Sequence, residues 1–126
     1  MIKKILFFSF IAAAVLSTDH STQKKPGVLP DAYKKWLEEE VAYIITPTEK
    51  EVFLKLQTNK ERDIFMEAFW HQRDKLHSKP EGEARKEHYR RLNYANHYFG
   101  RGSSKPGWKT DRGHTYIILG EPEDIQ

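Results

Sequence analysis

The stretch TPTEKEVFLKLQTNKERDIFMEAFWHQRD, residues 46–74, decides the fold. Thr46-Pro47-Thr48-Glu49 pairs a hydroxyl with a carboxylate three residues on, and Pro47 takes the first helical position. That is a capping box, which satisfies donors that a helix start leaves bare. The helix it opens carries Val52, Phe53 and Leu56. Thr58-Asn59-Lys60-Glu61 repeats the device and opens a helix to about Asp74. Ile64, Phe65, Met66, Ala68, Phe69 and Trp70 cover more than half of that helix's circumference, which predicts the most buried helix of the fold.

Upstream, Asp31 is placed to cap a first helix over about residues 32–45, in which Tyr33, Trp36, Leu37, Val41 and Ile44 recur at helical spacing. Downstream, a loop around Pro80 leads to a helix from Glu83 to Phe99, with Ala84, His88, Leu92, Ala95 and Phe99 in one stripe. Residues 101–112 read as loop. His114 to Leu119 is rich in β-branched and aromatic residues and reads as a strand, ended by Gly120-Glu121-Pro122. The expected fold is therefore mainly α, about four helices followed by one β-strand. A strand needs a partner for its backbone groups. The expectation is thus the N-terminal part of an α+β domain, truncated at the C-terminus.

The first 17 residues read differently. Lys3 and Lys4 precede an apolar run from Ile5 to Leu16, with Val15 and Ser17 suited to a cleavage site. This is the pattern of a secretory signal peptide, and the run is too short to span a membrane. Residues 18–30 read as a flexible linker, and residues 31–126 as the domain. The expected location is exported, periplasmic or secreted, with no stable membrane span after cleavage.

Of the net charge of +3, the two leader lysines account for two, so the remaining chain carries +1. That balance argues against a nucleic-acid partner. The chain has no cysteine, which excludes disulfides, thiolate metal sites and cysteine nucleophiles. The core must therefore lean on the 13 aromatic residues that follow the leader.

The stretch Gly107-Trp108-Lys109-Thr110-Asp111-Arg112-Gly113 resembles the signature of the GWxTD-domain family of exported bacterial proteins. Phe69-Trp70, Arg73-Asp74, Tyr94-Ala95-Asn96, Phe99 and the stretch Tyr116 to Pro122 resemble further motifs of the family. Members usually carry an asparagine-glutamate pair after the arginine-aspartate. Here Gly82 replaces the asparagine and Glu83 matches the glutamate. The family has no established activity, so the resemblance implies a location and a fold rather than a reaction.

Physically, Trp108 can cover the helical core and donate its indole N–H, while Thr110 and Asp111 suit turn and helix caps. Gly113 suits a positive φ before the strand. Arg73, Asp74, Asp111 and Arg112 are expected to form a crossed ion-pair network that pins the loop to the helix. The alternative makes Asp111 a general base or a ligand-contacting carboxylate. Tyr89, Tyr94, Tyr98 and Trp108, with Arg90, Arg91 and Arg101, form a candidate ligand groove together with Glu83.

Six histidines offer no HExxH motif and no close pair. Glu67 and His71 alone share a helix face, whereas zinc needs three or four ligands, so no metal site is expected. His71 and His88 read instead as helix–helix contacts. No cofactor is implied. The preferred function is a non-catalytic structural or interaction module of the bacterial envelope, with a protein partner or the chain's own missing C-terminal region as its counterpart. The alternative is an envelope enzyme or ligand-binding domain with a site around Asp111, Arg73 and Glu83, completed by missing sequence.

Overall fold

The computed structural model describes residues 27–123. The expected signal peptide and most of the expected linker lie outside the described residues.

Among the described residues there are five α-helices: α1 (Asp31–Lys35), α2 (Pro47–Lys55), α3 (Asn59–Leu76), α4 (Glu83–Phe99) and α5 (Asp111–Leu119). Both capping boxes form as the sequence predicts. Thr46 and Thr58 accept from the Glu49 and Glu61 N–H groups, and the two carboxylates accept from the cap backbones.

The expected first helix differs in its path. It begins at Asp31 behind Pro30 without a side-chain cap, and after Lys35 it widens into a π-helical turn over Trp36–Glu40. The wider turn brings Trp36, Leu37 and Val41 into the core together. It ends with the Glu40 carbonyl free of its own helix, and His88 Nε2 lies 2.6 Å from that oxygen. Burial holds the His88 ring below its ordinary pKa, so the neutral ring donates there. His88 is thus the helix–helix contact that the sequence predicts, while His71 is exposed.

The expected strand is a helix. Residues 114–119 belong to α5, and no strand occurs among the described residues, so neither the strand nor the α+β architecture holds. Thr110 caps this helix by accepting from the Gly113 N–H, and Asp111 stands in its first turn, where a carboxylate meets the positive end of the dipole. Its buried residues are Gly113, Tyr116 and Ile117, a helical spacing of three and four. Local β propensity yields to this cap and this face. A helix also satisfies its backbone groups within itself, so the segment needs no partner strand.

Two aromatic-rich clusters form the core. One gathers Trp36, Leu37, Val41, Phe53, Phe69 and Trp70; the other gathers Leu92, Ala95, Trp108 and Ile117, and Tyr89 packs against both. Trp36 lies 5.1 Å from Phe53 and 5.2 Å from Phe69, the latter edge to face. Such pairs add to the area each ring buries. The α3 helix buries Arg62, Phe69, Trp70 and Asp74, whereas Ile64 is 60% exposed and Ala68 is also exposed, so its apolar residues do not all reach the core. The largest fully buried side chains are Trp36, Phe53, Leu37 and Val41.

Candidate functional site

Arg73 and Asp74 close α3 in different directions. Arg73 donates from both terminal nitrogens to the Glu49 carboxylate, and its Nη2 donates to the Ile44 carbonyl at 3.0 Å. The guanidinium also lies 3.7 Å from the Phe69 ring centroid. This pairing holds the Glu49 carboxyl down at about 2, against an ordinary 4.5. Asp74 instead accepts from the Gly82 N–H and the Ala84 N–H, both at 2.8 Å. It thereby caps α4, whose own N-cap residue, Gly82, has no side chain. These bonds hold the Asp74 carboxyl below its ordinary range. Gly82 takes φ +85°, in the left-handed region open to glycine and, next best, to asparagine.

The turn at residues 107–113 is a packing joint. A Cβ on Gly107 would stand 2.0 Å from the Ala95 carbonyl oxygen, and one on Gly113 would stand 1.9 Å from the Gly107 oxygen. Gly113 is helical rather than positive in φ, so close approach, not backbone hand, requires glycine there. Thr110 Oγ1 donates to the Gly107 carbonyl at 2.7 Å and accepts from the Gly113 N–H at 3.0 Å. Trp108 is buried, and the hydrogen bonds that seat it run through its main chain. Its N–H donates to Asn96 Oδ1 at 2.9 Å, and its carbonyl accepts from the Tyr43 hydroxyl at 2.9 Å.

Asn96 and Tyr43 are therefore site residues that the chemical reading of the sequence missed. An asparagine inside a helix is a weak signal of such a bond, because its amide competes with the helix backbone. Tyr43 carries no comparable signal. It also stacks on His114 at 4.1 Å, and burial followed by the Asp111 charge raises its pKa.

The expected four-residue network does not assemble. Arg73 and Asp74 take the partners above, and the Arg112 guanidinium sits 5.7 Å from the Phe99 ring centroid. Among the described residues, the Asp111 side chain makes no hydrogen bond or ion pair; only its backbone carbonyl accepts, from Thr115 Oγ1. Nor do Asp111, Arg73 and Glu83 share a site. Asp74 ties the end of α3 to the start of α4, so Arg73 and Glu83 lie at that end. Asp111 lines a cleft with Phe99, the last residue of this 17-residue helix, about 24 Å away at ~1.5 Å per residue.

Part of the expected groove does gather. Tyr94 lies 4.4 Å from Tyr98 and stacks on Tyr116 at 4.4 Å, while Arg101 sits 5.9 Å from the Tyr98 ring centroid. Glu83 is at the far end of the helix, and Tyr89 packs with Trp70 in the core. Arg90 and Arg91 are engaged by Glu87, whose carboxyl they hold at about 2. Arg91 also donates to the Ile117 and Ile118 carbonyls near the end of α5. Trp108, Asn96 and Arg101 face another cleft, of about 600 Å³, against Lys35 and Glu39. No group of three or more potential metal ligands occurs among the described residues.

The family model described as the GWxTD domain matches residues 20–126. The chain belongs to the GWxTD domain family. Comparison with curated proteins and with solved structures gave no match. In this GWxTD domain the signature's two glycines and threonine build the joint between α4 and α5, and its tryptophan closes the second core cluster. The aspartate's carboxylate has no hydrogen bond or ion pair among the described residues. Among the described residues, no helix is long and apolar enough to cross a membrane.

Proposed function

We propose that this GWxTD domain is an exported, non-catalytic interaction module of the bacterial envelope. One observation carries the reading: packing consumes Gly107, Trp108, Thr110 and Gly113, while an open apolar surface lies beside Asp111, whose carboxylate has no hydrogen bond or ion pair among the described residues. Leu119 is 73% exposed on that surface, beside Phe99 and Pro122. Exposed apolar groups that adjoin one another mark interaction sites. Export rests on the leader pattern at residues 1–17, with its lysines, apolar run and small-residue end.

The test is made in cells producing the full chain with a photo-crosslinking residue at Leu119, and in a second strain with the crosslinker at Glu67, an exposed position on α3. The expected outcome is protein in the envelope fraction or medium, with a discrete adduct from position 119 and none from position 67. Retention in the cytoplasmic fraction, or no adduct at either position, overturns the proposal.

A further inference from the structure

A cleft of about 670 Å³ opens where α5, the end of α4 and the segment after α5 meet. Its floor is Phe99, Tyr116, Leu119 and Pro122. Its wall is held in place: Arg90 Nη1 donates to the Tyr116 hydroxyl at 3.1 Å and to Glu121 at 3.3 Å, and the Tyr116 hydroxyl donates to the same carboxylate. The floor continues outward, because Tyr94 stacks on Tyr116 and touches Tyr98.

The charges around this floor are unequal. Arg90 neutralises Glu121. The carboxylates of Asp111 and Glu123 also line the cleft, and among the described residues neither has a hydrogen bond or ion pair. The cleft's one lining cation, Arg112, lies over Phe99. An apolar floor whose rim carries the two carboxylates of Asp111 and Glu123 against the one cation of Arg112, a net charge of −1, complements a cation carried among apolar groups. An anionic membrane surface or an acidic peptide would be repelled at the same rim.

We propose that this cleft docks a partner polypeptide segment that presents an arginine or lysine between apolar side chains. The proposal rests on the interaction reading above and names its partner class. Apolar contact supplies affinity, and Asp111 with Glu123 supplies the choice of charge.

The probe is a short fluorescein-labelled peptide with one arginine flanked by leucines, beside counterparts with glutamine or glutamate in its place. Binding to the full chain is read by fluorescence anisotropy at low and high salt. The arginine peptide is expected to bind roughly fivefold more tightly than the glutamine peptide at low salt, and the glutamate peptide least. Salt should shrink the preference. Asp111→Asn with Glu123→Gln should abolish the arginine preference, whereas Leu119→Ser should weaken all three peptides alike. All three substitutions fall at exposed positions, and circular dichroism verifies that each variant folds.

Equal binding of the arginine and glutamine peptides overturns the proposal, as does a preference that survives Asp111→Asn with Glu123→Gln. Self-association that rises with concentration and disappears in Leu119→Ser also overturns it, since the occupant is then a second copy. A discrete crosslink from position 119 with no charge preference among the peptides ends this proposal and leaves the interaction module standing. Loss of both ends both.

Discussion

Asp74 caps a helix to which it does not belong, accepting at 2.8 Å from the Gly82 N–H eight residues along the chain. Its other oxygen takes the Ala84 N–H, so one carboxylate fixes the end of α3 to the start of α4. The cap works because Gly82 takes a left-handed turn that points its N–H back at α3. A Cβ at Gly82 would meet nothing within 4 Å, so only backbone hand resists substitution. Gly82→Ala should cost roughly 1 kcal/mol and Gly82→Asn less, read by urea unfolding. Asp74→Ala should lower the melting temperature, with Asp74→Asn recovering part of the loss. Equal stability of Gly82→Ala and the parent chain would refute this account.

Gly113 offers a sharper test. Within an ordinary helix, replacing glycine by alanine stabilises by up to about 1 kcal/mol. Here the added carbon would stand 1.9 Å from a backbone oxygen, where no flexible side chain can yield. Gly113→Ala should therefore destabilise by about 3 kcal/mol, and Gly107→Ala comparably, because the helices must separate to admit the methyl. Denaturant midpoints decide between the two signs.

Acid should act through Glu49. Its carboxyl is held at about 2 by the Arg73 guanidinium, below the ordinary 4.5, so the folded state keeps the charged form longer than the unfolded state does. The stabilisation is fully present above about pH 4.5 and is lost as pH falls toward 2. It should be on the order of 2 kcal/mol, since both side chains are largely enclosed. Arg73→Met should lower stability at neutral pH and flatten the acid limb of stability against pH. An unchanged acid limb in Arg73→Met would exclude this pair as its source.

His88 titrates in a higher window. Burial holds its folded pKa below 6.5, so as pH drops through 6.5 the unfolded chain takes a proton that the folded chain refuses. Stability should be flat above that point and decline below it. The neighbouring Arg91 charge lowers the pKa further, while the bond to the Glu40 carbonyl and the Glu40 charge oppose the shift. His88→Gln keeps a donor for the Glu40 carbonyl and should remove the slope below pH 6.5. His88→Leu should also cost about 1–3 kcal/mol, because it leaves that carbonyl without its donor. Thermal melts across the range distinguish the two variants.

Much of the helical framework was legible along the chain. The boxes Thr46/Glu49 and Thr58/Glu61 mark α2 and α3 because cap and donor lie within one turn. The stretch from Glu83 to Phe99 showed its face through spacing alone, and His88, Leu92 and Ala95 are its buried residues. The segment His114 to Leu119 reads as a strand because of its β-branched and aromatic residues, whereas its helical character comes from the Thr110 cap and the burial of Tyr116 and Ile117. Of the candidate site, the signature residues were identified by their resemblance to the family, but their partners were not. The expected network of Arg73, Asp74, Asp111 and Arg112 does not form, and Arg73 instead meets Glu49.

The sequence by itself determined what acts over three or four residues: the capping boxes, the helical faces and the signature that places the chain in its family. Those features depend on backbone geometry shared by every helix, so residue order is enough to reveal them. Tertiary structure alone decided which long-range partners meet. The Tyr43 hydroxyl finds Trp108, 65 residues away, and Arg73 finds Glu49, 24 residues away, because packing of the aromatic core sets the helices at one spacing and angle. Charged and polar side chains have many admissible partners in an unfolded chain. Only the positions fixed by burial select one of them.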